Sequence, residues 1–203
     1  MYGASEVLAA TMGIPGEPID RLTTTDGRPL EGVEVQARLP DGTVAPPGVE
    51  GELWVRGVTL FSEYLDDPEQ TAEVLVDGWC RTGDLGVVDV EGYVDARDRL
   101  KDIVVRGGLN VSSREVENIL VQHPDVYRVA VIGFPDERLG ERICAVVVPA
   151  AGSSVQLESL VEFARQLGLS QVKLPERVVC VVGLPVNPTG KVLKFELRDR
   201  FGA

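Results

Sequence analysis

The sequence predicts an α+β protein in two parts: a β-rich, barrel-like first half, then a small domain whose helices cover a short sheet. Residues 1–98 contain short apolar runs separated by Gly/Pro turns, whereas strand-like and helix-like patterns alternate from residue 99 onward. Residues 1–98 also carry 20 acidic and 6 basic side chains, against 12 and 14 in residues 99–203. We therefore expect two domains, 1–98 and 99–203.

The sequence of the first half predicts mainly strands and one helix. Apolar or alternating runs predict strands at 33–39, 51–56, 86–89 and 93–97. A helix is expected over 68–76, because Asp67 is a suitable N-cap and Pro68 occupies the first helical position. The turn residues Val90-Glu91-Gly92 join the last two strands and predict a hairpin.

In the second half, helical and extended patterns alternate. Helices are expected at 112–122, 157–167 and 191–201, and strands at 103–105, 126–134, 142–148 and 177–182. Ser112 and Glu115 have the spacing of a capping box at the start of the first of these helices. Helices packed on a small sheet are the expected arrangement.

Composition narrows the classes of function. With 203 residues and 44% hydrophobic content, the chain can form cores without disulfides or metals. A net charge of −12 argues against nucleic acid and anionic membranes as main partners. The three cysteines are scattered along the chain, which suggests free thiols (Cys80, Cys144 and Cys180). No signal peptide or membrane-spanning apolar run is seen, so we expect a cytoplasmic protein. The single histidine, His123, precedes a proline in a turn and is expected to be structural.

A lysine near the end of the chain follows a Pro/Gly turn, in Asn187-Pro188-Thr189-Gly190-Lys191. Such a lysine can present a movable positive charge where negative charge builds up in a reaction. The run is not a P-loop, because Pro185 replaces the first glycine and Val192 follows the lysine. The alternative is a solvated lysine on a surface turn.

Two segments of the first half could contact a nucleotide. Tyr2, Ser5 and Glu6 combine an aromatic face, a hydroxyl and a carboxylate, which can stack on a base, bind a phosphate and hold Mg²⁺. The alternative is a frayed N-terminus. In Thr82-Gly83-Asp84 the carboxylate lies on a tight turn after a strand, where it can accept hydrogen bonds from a ribose diol, although ordinary turns look alike.

Two further segments lie at the start of the second half. Asp98-Arg99-Leu100-Lys101-Asp102 falls where the charge balance changes, and it is either a solvated link or a hinge. Gly107 and Gly108 follow a strand and permit positive φ and close approach of a ligand to the backbone. The alternative for the glycines is a simple β-turn before the helix.

In their order and spacing these segments resemble the AMP-forming adenylating enzymes, which include acyl-CoA synthetases, peptide-synthetase adenylation domains and firefly luciferase. The resemblance covers essentially the whole chain. Its motifs are Tyr-Gly-x-Ser-Glu (2–6), Gly-Glu-Leu-Trp-Val-Arg-Gly (51–57), Trp-x-Arg-Thr-Gly-Asp-Leu (79–85), Asp-Arg-Leu-Lys-Asp (98–102), Gly-Gly-x-Asn-Val (107–111), Glu-Val-Glu (115–117) and Asn-Pro-Thr-Gly-Lys (187–191).

The resemblance implies roles for five residues of the nucleotide site. Tyr2 corresponds to the aromatic residue that stacks on adenine. Ser5 stands where the family usually has threonine, near the phosphates. Glu6 corresponds to the Mg²⁺ carboxylate and is expected to act in catalysis. Asp84 corresponds to the ribose-binding aspartate, and Arg99 to its ribose or phosphate partner.

The remaining roles concern the small domain. Lys101 corresponds to the hinge between the large and small domains, and Gly107 and Gly108 to the loop that lines the pantetheine path. Lys191 corresponds to the catalytic lysine that bridges the carboxylate and the α-phosphate. Adenylation brings two anions together, so a lysine and Mg²⁺ are needed to offset their repulsion.

The resemblance implies an acid–CoA ligase that uses ATP, Mg²⁺ and CoA to convert a carboxylic acid, fatty or aryl, into an acyl-adenylate and then a thioester. The phosphate loop and acyl pocket of the family are not in these 203 residues. We therefore expect a C-terminal portion that is weakly active or inactive alone. The alternatives are a peptide-synthetase adenylation fragment, and a non-catalytic adenylate- or partner-binding module that completes a separate N-terminal half.

Overall fold

The structure is a computed structural model that describes residues 1–202. The chain divides into two compact units, Met1–Lys101 and the residues from Asp102 onward. The predicted α+β class is confirmed, with a β-rich first unit. The sheets formed by residues 1–202 remain open and none closes into a barrel. In the same residues no helix has the length and apolar character needed to cross a bilayer.

The first unit begins with a three-stranded antiparallel sheet in the order β1-β2-β3. Its strands are β1 (Tyr2–Ala4), β2 (Leu8–Met12) and β3 (Arg28–Pro29), and the short helix α1 (Ile19–Thr24) lies between β2 and β3. None of these elements was predicted, because the strands are short and rich in Ala, Gly and Thr. Their strand character therefore comes from pairing with one another rather than from local apolar periodicity.

A second, five-stranded antiparallel sheet forms the rest of this unit, in the order β4-β5-β7-β6 with β8 also paired to β7. Its strands are β4 (Val33–Arg38), β5 (Glu50–Gly57), β6 (Leu75–Val76), β7 (Trp79–Val88) and β8 (Val94–Arg99). The side chains packed in the core of this unit include Tyr2, Val7, Ala10, Leu53, Val55, Cys80 and Val94.

Helix α2 (Pro68–Val74) begins where the sequence predicts and ends two residues earlier. The Asp67 carboxylate accepts a hydrogen bond from the Gln70 backbone N–H at 2.9 Å, which confirms the predicted N-cap. The helix ends early because Asp77 and Gly78 have φ of 52° and 78° and form a hairpin turn between β6 and β7. Residues 75 and 76 therefore pair as a strand.

The second unit is built on one mixed sheet in the order β10-β9-β12-β11, with β13 parallel to β12. The strands are β9 (Ile103–Arg106), β10 (Leu109–Ser112), β11 (Val126–Asp136), β12 (Gly140–Pro149) and β13 (Arg177–Cys180). The helices are α3 (Ser113–Leu120), α4 (Leu157–Gln166) and α5 (Lys194–Phe201). The Ser112 hydroxyl accepts from the Glu115 backbone N–H at 3.0 Å, as the capping spacing predicts.

Helices cover both faces of this sheet. Alternate residues of β11 and β12 point to two separate cores, so both strands are continuously apolar. Helices α3 and α4 contribute Val116, Leu120, Leu160 and Ala164 to one core. Helix α5 contributes Leu197 to the other core, where it packs with Ala130, Ile132, Cys144 and Val146.

Candidate functional site

In the first unit, the buried carboxylate of Asp84 has a polar partner at each of its two oxygens. The Tyr2 hydroxyl donates to Asp84 Oδ2 at 2.9 Å, and Arg99 Nε lies 3.0 Å from Asp84 Oδ1. Tyr2 and Asp84 are 8% and 9% exposed, whereas the Arg99 side chain is 37% exposed. The structure thus brings together three of the residues predicted for the nucleotide site, with Arg99 at its open side.

A bulge in β7 aims the Asp84 carboxylate. Thr82, Gly83 and Asp84 lie opposite the single residue Leu53 of β5, because Glu52 pairs with Leu85 and the next pair is Trp54 with Arg81. The Thr82 hydroxyl donates to the Leu53 carbonyl at 2.7 Å and accepts from the Asp84 N–H, and Gly83 has φ of 68°. The tight turn expected here is therefore an irregularity inside a long strand, which redirects a side chain as bulges do.

The Tyr2 ring packs in the core of the first unit instead of lying open. Burial, together with the neighbouring Asp84 carboxylate, raises the pKa of the Tyr2 phenol. The phenol therefore stays neutral and acts as a hydrogen-bond donor to Asp84. The contact seen here is the hydrogen bond by which Tyr2 positions the Asp84 carboxylate. Stacking of the Tyr2 ring on adenine stays a prediction.

Glu6 and Ser5 lie in the turn between β1 and β2. The Tyr64 hydroxyl donates to Glu6 Oε1 at 2.7 Å, and burial and Glu6 raise the pKa of Tyr64 to about 12. Ser5 is exposed. Sequence reasoning missed Tyr64, because it lies 58 residues away in an irregular segment that carries no motif.

Glu6 offers Mg²⁺ a single protein carboxylate. Among residues 1–202 there is no group of three or more His, Cys, Asp or Glu side chains that could hold a metal ion. Mg²⁺ commonly binds through one or two carboxylates, with waters and substrate phosphates completing its shell. The donors present therefore fit an ion carried by a nucleotide, and do not fit a site made by protein ligands alone.

The paired glycines of the second unit form the turn of a two-residue hairpin. Gly107 and Gly108 have φ of 58° and 81° and connect Arg106 of β9 to its partner Leu109 of β10. Positive φ at both central residues is the requirement of a type I′ turn, so the positive φ expected from the sequence is observed. Strand β10 was not predicted, because its four residues start immediately after this turn. Both glycines are exposed.

Lys191 follows a turn that the Asn187 side chain organises. Asn187 Oδ1 accepts hydrogen bonds from the Thr189 N–H, the Thr189 hydroxyl and the Lys191 N–H at 3.1, 2.8 and 2.8 Å. The Gly190 N–H donates to the Asn187 carbonyl at 2.9 Å, and Gly190 has φ of 85°. Lys191 is exposed. Sequence reasoning named Lys191 and missed Asn187 as the residue that holds its backbone.

The prediction that the last helix begins at Lys191 was wrong, because α5 begins at Lys194. Val186 and Val192 form a β-bridge around the turn, and the Leu193 N–H donates to the Pro185 carbonyl at 2.9 Å. These bonds give residues 191–193 an extended path. Lys191 therefore sits at the base of a hairpin-like turn, directly before the bridge residue Val192, and not on a helix.

Lys101 lies in a short 3₁₀ turn, Leu100–Asp102. The division between the two units falls directly after Lys101. Lys101 is exposed, whereas Asp102 is held by Arg198 Nη2 at 3.0 Å within the second unit. The hinge role of Lys101 stays a prediction.

His123 contacts a serine and an aspartate, Ser159 and Asp125, but the hydrogen bonds differ from those of a catalytic triad. Nδ1 accepts from the Asp125 backbone N–H at 3.2 Å, which assigns the proton of a neutral ring to Nε2, directed at Ser159 Oγ at 2.9 Å. A serine hydroxyl that accepts a hydrogen bond from the imidazole is not activated as a nucleophile, because the ring cannot take its proton. The Asp125 carboxylate instead accepts from the Ser153 hydroxyl. The structural role predicted for His123 is confirmed.

Comparison with known proteins decides the family. Residues 1–65 match the family model described as AMP-binding enzyme, and residues 115–191 match the model of the AMP-binding enzyme C-terminal domain. The chain belongs to the AMP-binding enzymes. The curated proteins that it resembles include several named as fatty-acid–CoA ligases.

Relatives and solved structures in this family cover nearly the whole chain. It is 42% identical over 200 residues to the medium-chain fatty-acid–CoA ligase of Escherichia coli (strain K12), covering 98% of this chain and 35% of the relative. The amide bond synthetase McbA from Marinactinospora thermotolerans superposes with a TM-score of 0.83 at 42% identity, covering 98% of this chain and 41% of that one. ATP-bound MatB from Rhodopseudomonas palustris superposes with a TM-score of 0.88 at 34% identity, covering 99% and 40%. The chain thus spans about two fifths of the length of its relatives.

Proposed function

We propose that this chain is the C-terminal part of an ATP-dependent acid–CoA ligase, which converts a carboxylic acid into an acyl-adenylate and passes the acyl group to the thiol of CoA. The observation that carries this proposal is the buried Asp84 carboxylate, held by Tyr2 and Arg99. All three residues belong to motifs that resemble those of the nucleotide site in the family.

The Asp84 carboxylate is suited to a ribose diol. A carboxylate has about four lone-pair positions, and Tyr2 and Arg99 engage one oxygen each. Asp84 therefore retains capacity to accept hydrogen bonds from vicinal hydroxyls. Arg99 lies at the open side and can donate to the ribose or to a phosphate oxygen. Glu6 is assigned to the Mg²⁺ that accompanies ATP, and Ser5 to the phosphates.

Lys191 is assigned to the adenylation step. Bringing a carboxylate against the α-phosphate places two anions in contact, and a cation directed at the developing charge lowers that barrier. The turn held by Asn187 fixes the backbone of Lys191, while its exposed side chain can reach a ligand. The ammonium group binds and orients, and it takes no part in proton transfer in this scheme.

The second half-reaction is assigned to the Gly107-Gly108 turn, which lets the pantetheine arm of CoA pass close to the backbone. Lys101 is the proposed hinge that allows Lys191 and the glycine turn to act in succession. Replacing Lys101 by proline restricts φ at this position and removes an N–H. We expect Lys101→Pro to slow at least one half-reaction, and unchanged rates of both would reject the hinge.

The acid is proposed to be fatty or aryl, because the segments at 98–102 and 107–111 are closest to those of acyl- and aryl-CoA ligases. A peptide-synthetase adenylation fragment is the alternative within the same family. A second candidate function is a non-catalytic adenylate- or partner-binding module that completes a separate N-terminal half. The observation favouring it is that residues 1–203 contain no Ser/Thr/Gly-rich phosphate loop.

ATP–pyrophosphate exchange with a panel of carboxylic acids tests these candidates. The chain is assayed alone and as a chimera, in which the N-terminal portion of the E. coli ligase precedes it. We expect exchange by the chimera with medium-chain fatty acids, the acids of the ligase that supplies its N-terminal portion, and little by the chain alone. Robust exchange by the chain alone would reject the non-catalytic module. No exchange in either form would refute the proposed function.

A further inference from the structure

The glycine turn is open on one side and held on the other. Strand β10 is at the edge of the sheet, and a methyl group added at Gly108 would meet no atom within 4 Å. Strand β9 joins β12 through a single residue pair, Gly140 with Arg106. A hairpin attached at so few points needs side chains to define its position relative to the sheet.

An ion pair supplies the first of these attachments. Arg106, the residue directly before the turn, donates from Nε and Nη2 to the two oxygens of Glu176, at 3.1 and 3.0 Å. Two parallel bonds of this kind fix the orientation of a guanidinium. The side chains are 19% and 26% exposed, so water competes only in part. The Arg106 guanidinium holds the pKa of the Glu176 carboxyl below its usual range.

The sheet topology explains why this pair lies where it does. Strand β12 pairs with β11 along one edge, so its other edge is shared by β9, at Gly140, and β13, from Cys144 onward. Glu176 immediately precedes β13, and its backbone N–H donates to the Ile143 carbonyl at 2.9 Å. The Arg106–Glu176 pair therefore closes the gap between two strands that share one edge of β12.

Two hydrogen bonds hold the residues next to the ion pair. The Gly107 N–H donates to the Leu139 carbonyl at 2.6 Å, and the Val105 N–H donates to Glu141 Oε2 at 2.6 Å. Gly133 makes room for the Glu141 carboxylate, because a Cβ there would lie 2.5 Å from Oε1. Three consecutive residues, 105 to 107, are thus tied to β12, to Leu139 directly before it, and to Glu176 directly before β13.

We propose that Glu176, acting through Arg106, is a positioning residue for the thioester-forming half-reaction: it fixes the Gly107-Gly108 turn so that the acyl-accepting thiol passes at one defined distance from the backbone. This inference rests on the proposed function. A ligand chain that runs along the open side presses the turn toward β12, and the bidentate pair resists that displacement. Adenylation, which is assigned to Lys191, does not depend on the pair.

The test separates the two half-reactions in the chimera. Adenylation is followed by ATP–pyrophosphate exchange, and thioester formation by single turnover of preformed acyl-adenylate with CoA. Misplacement of a binding group by about 1 Å can cost up to about 100-fold in rate, so we expect Glu176→Ala to lower kcat/KM for CoA by about 10- to 100-fold. Exchange should be unchanged, and Glu176→Gln should lie between, because its amide oxygen still accepts one bond.

Lys173→Gln is the matched control. It breaks the Lys173–Glu115 ion pair of the same unit and leaves in place the hydrogen bond from the Glu115 backbone N–H to Ser112 of β10. It should leave both half-reactions unchanged. Backbone hydrogen exchange on the chain itself adds a second measurement: Glu176→Ala should speed exchange at Val105 and Gly107, and Lys173→Gln should not.

The outcomes distinguish the inference from the proposed function. Equal loss of both half-reactions in Glu176→Ala would show a general folding defect and overturn the positioning role. Unchanged kcat/KM for CoA in an otherwise active chimera would overturn the inference alone. A wild-type chimera that catalyses neither half-reaction would refute the proposed function, and this inference with it.

Discussion

The Tyr2→Phe substitution removes the hydrogen bond that Tyr2 donates to Asp84 in the candidate nucleotide site. The Tyr2 hydroxyl donates to Asp84 Oδ2 at 2.9 Å, and both residues are buried. The other oxygen of Asp84 remains paired with Arg99. Because phenylalanine keeps the ring, the variant preserves the packing of the first unit and loses only the donor.

The size of the effect follows from the charge on the acceptor. A hydrogen bond to a charged group contributes about 1.5–3 kcal/mol net. With Arg99 still in place, we expect the free energy of unfolding of the first unit to fall by about 2 kcal/mol, roughly a 30-fold change in the equilibrium constant. For a urea slope of about 1.5 kcal/mol/M, the midpoint should fall by about 1.3 M.

Tryptophan fluorescence during urea titration measures this unit alone, because both tryptophans, Trp54 and Trp79, lie within residues 1–101. Tyr127→Phe is the control, since Tyr127 is 69% exposed and belongs to the second unit. Its tryptophan transition should match that of the wild type. A Tyr2→Phe midpoint that coincides with the wild type at the same slope would refute the argument that Tyr2 holds the Asp84 carboxylate.

Three further predictions concern the thiols, the glycine turn and pH. In the native protein only Cys180 should react rapidly with a thiol reagent. Cys80 and Cys144 are buried, and burial raises the pKa of each thiol to about 11. Rapid reaction of all three cysteines would contradict this prediction. Gly108→Ala should lower the free energy of unfolding by about 1 kcal/mol, the cost of positive φ for a residue with a Cβ, and an unchanged thermal midpoint would contradict it. Burial raises the pKa of Tyr64 from 10.0 to about 12, so the stability linked to its neutral form is complete below pH 10 and is lost as pH rises through 12. The difference in urea midpoint between wild type and Tyr64→Phe should therefore shrink over that interval, and a constant difference would count against the shift.

Elements whose signal is local could be predicted from the sequence. Helix α2 begins at the residue that the Asp67 cap indicates, and α3 follows Ser112, whose hydroxyl makes the expected capping bond. Strands β11 and β12 are continuous apolar runs because both faces of their sheet are covered. In each case the residues that decide the structure lie within a few positions of one another.

Elements whose conformation is set by pairing with another segment could not be predicted. Strands β1 and β2 are short and carry small residues, so their strand character comes from pairing with each other and with β3. The last two residues expected in α2 are helical by periodicity, yet they pair with β7 across the Asp77-Gly78 turn. Helix α5 starts late because the Val186–Val192 bridge takes precedence over local propensity.

The candidate site shows the same division. Asp84, Glu6 and Lys191 carry recognisable chemistry within motifs, so the sequence names them. Two of the groups that hold them were not identified. Tyr64 lies 58 residues from Glu6, and Asn187, although it belongs to the motif of Lys191, cannot be told from an ordinary turn asparagine by sequence. Which polar side chains meet is decided by the tertiary fold.

The central claim, that Lys191 serves adenylation in an AMP-forming ligase, is tested most directly by Lys191→Ala in the chimera. ATP–pyrophosphate exchange and thioester formation from preformed acyl-adenylate are measured on the same preparation. Removing a group directed at transition-state charge costs about 100- to 1,000-fold, so exchange should fall by that amount while thioester formation is retained. Exchange at the wild-type rate would contradict the account.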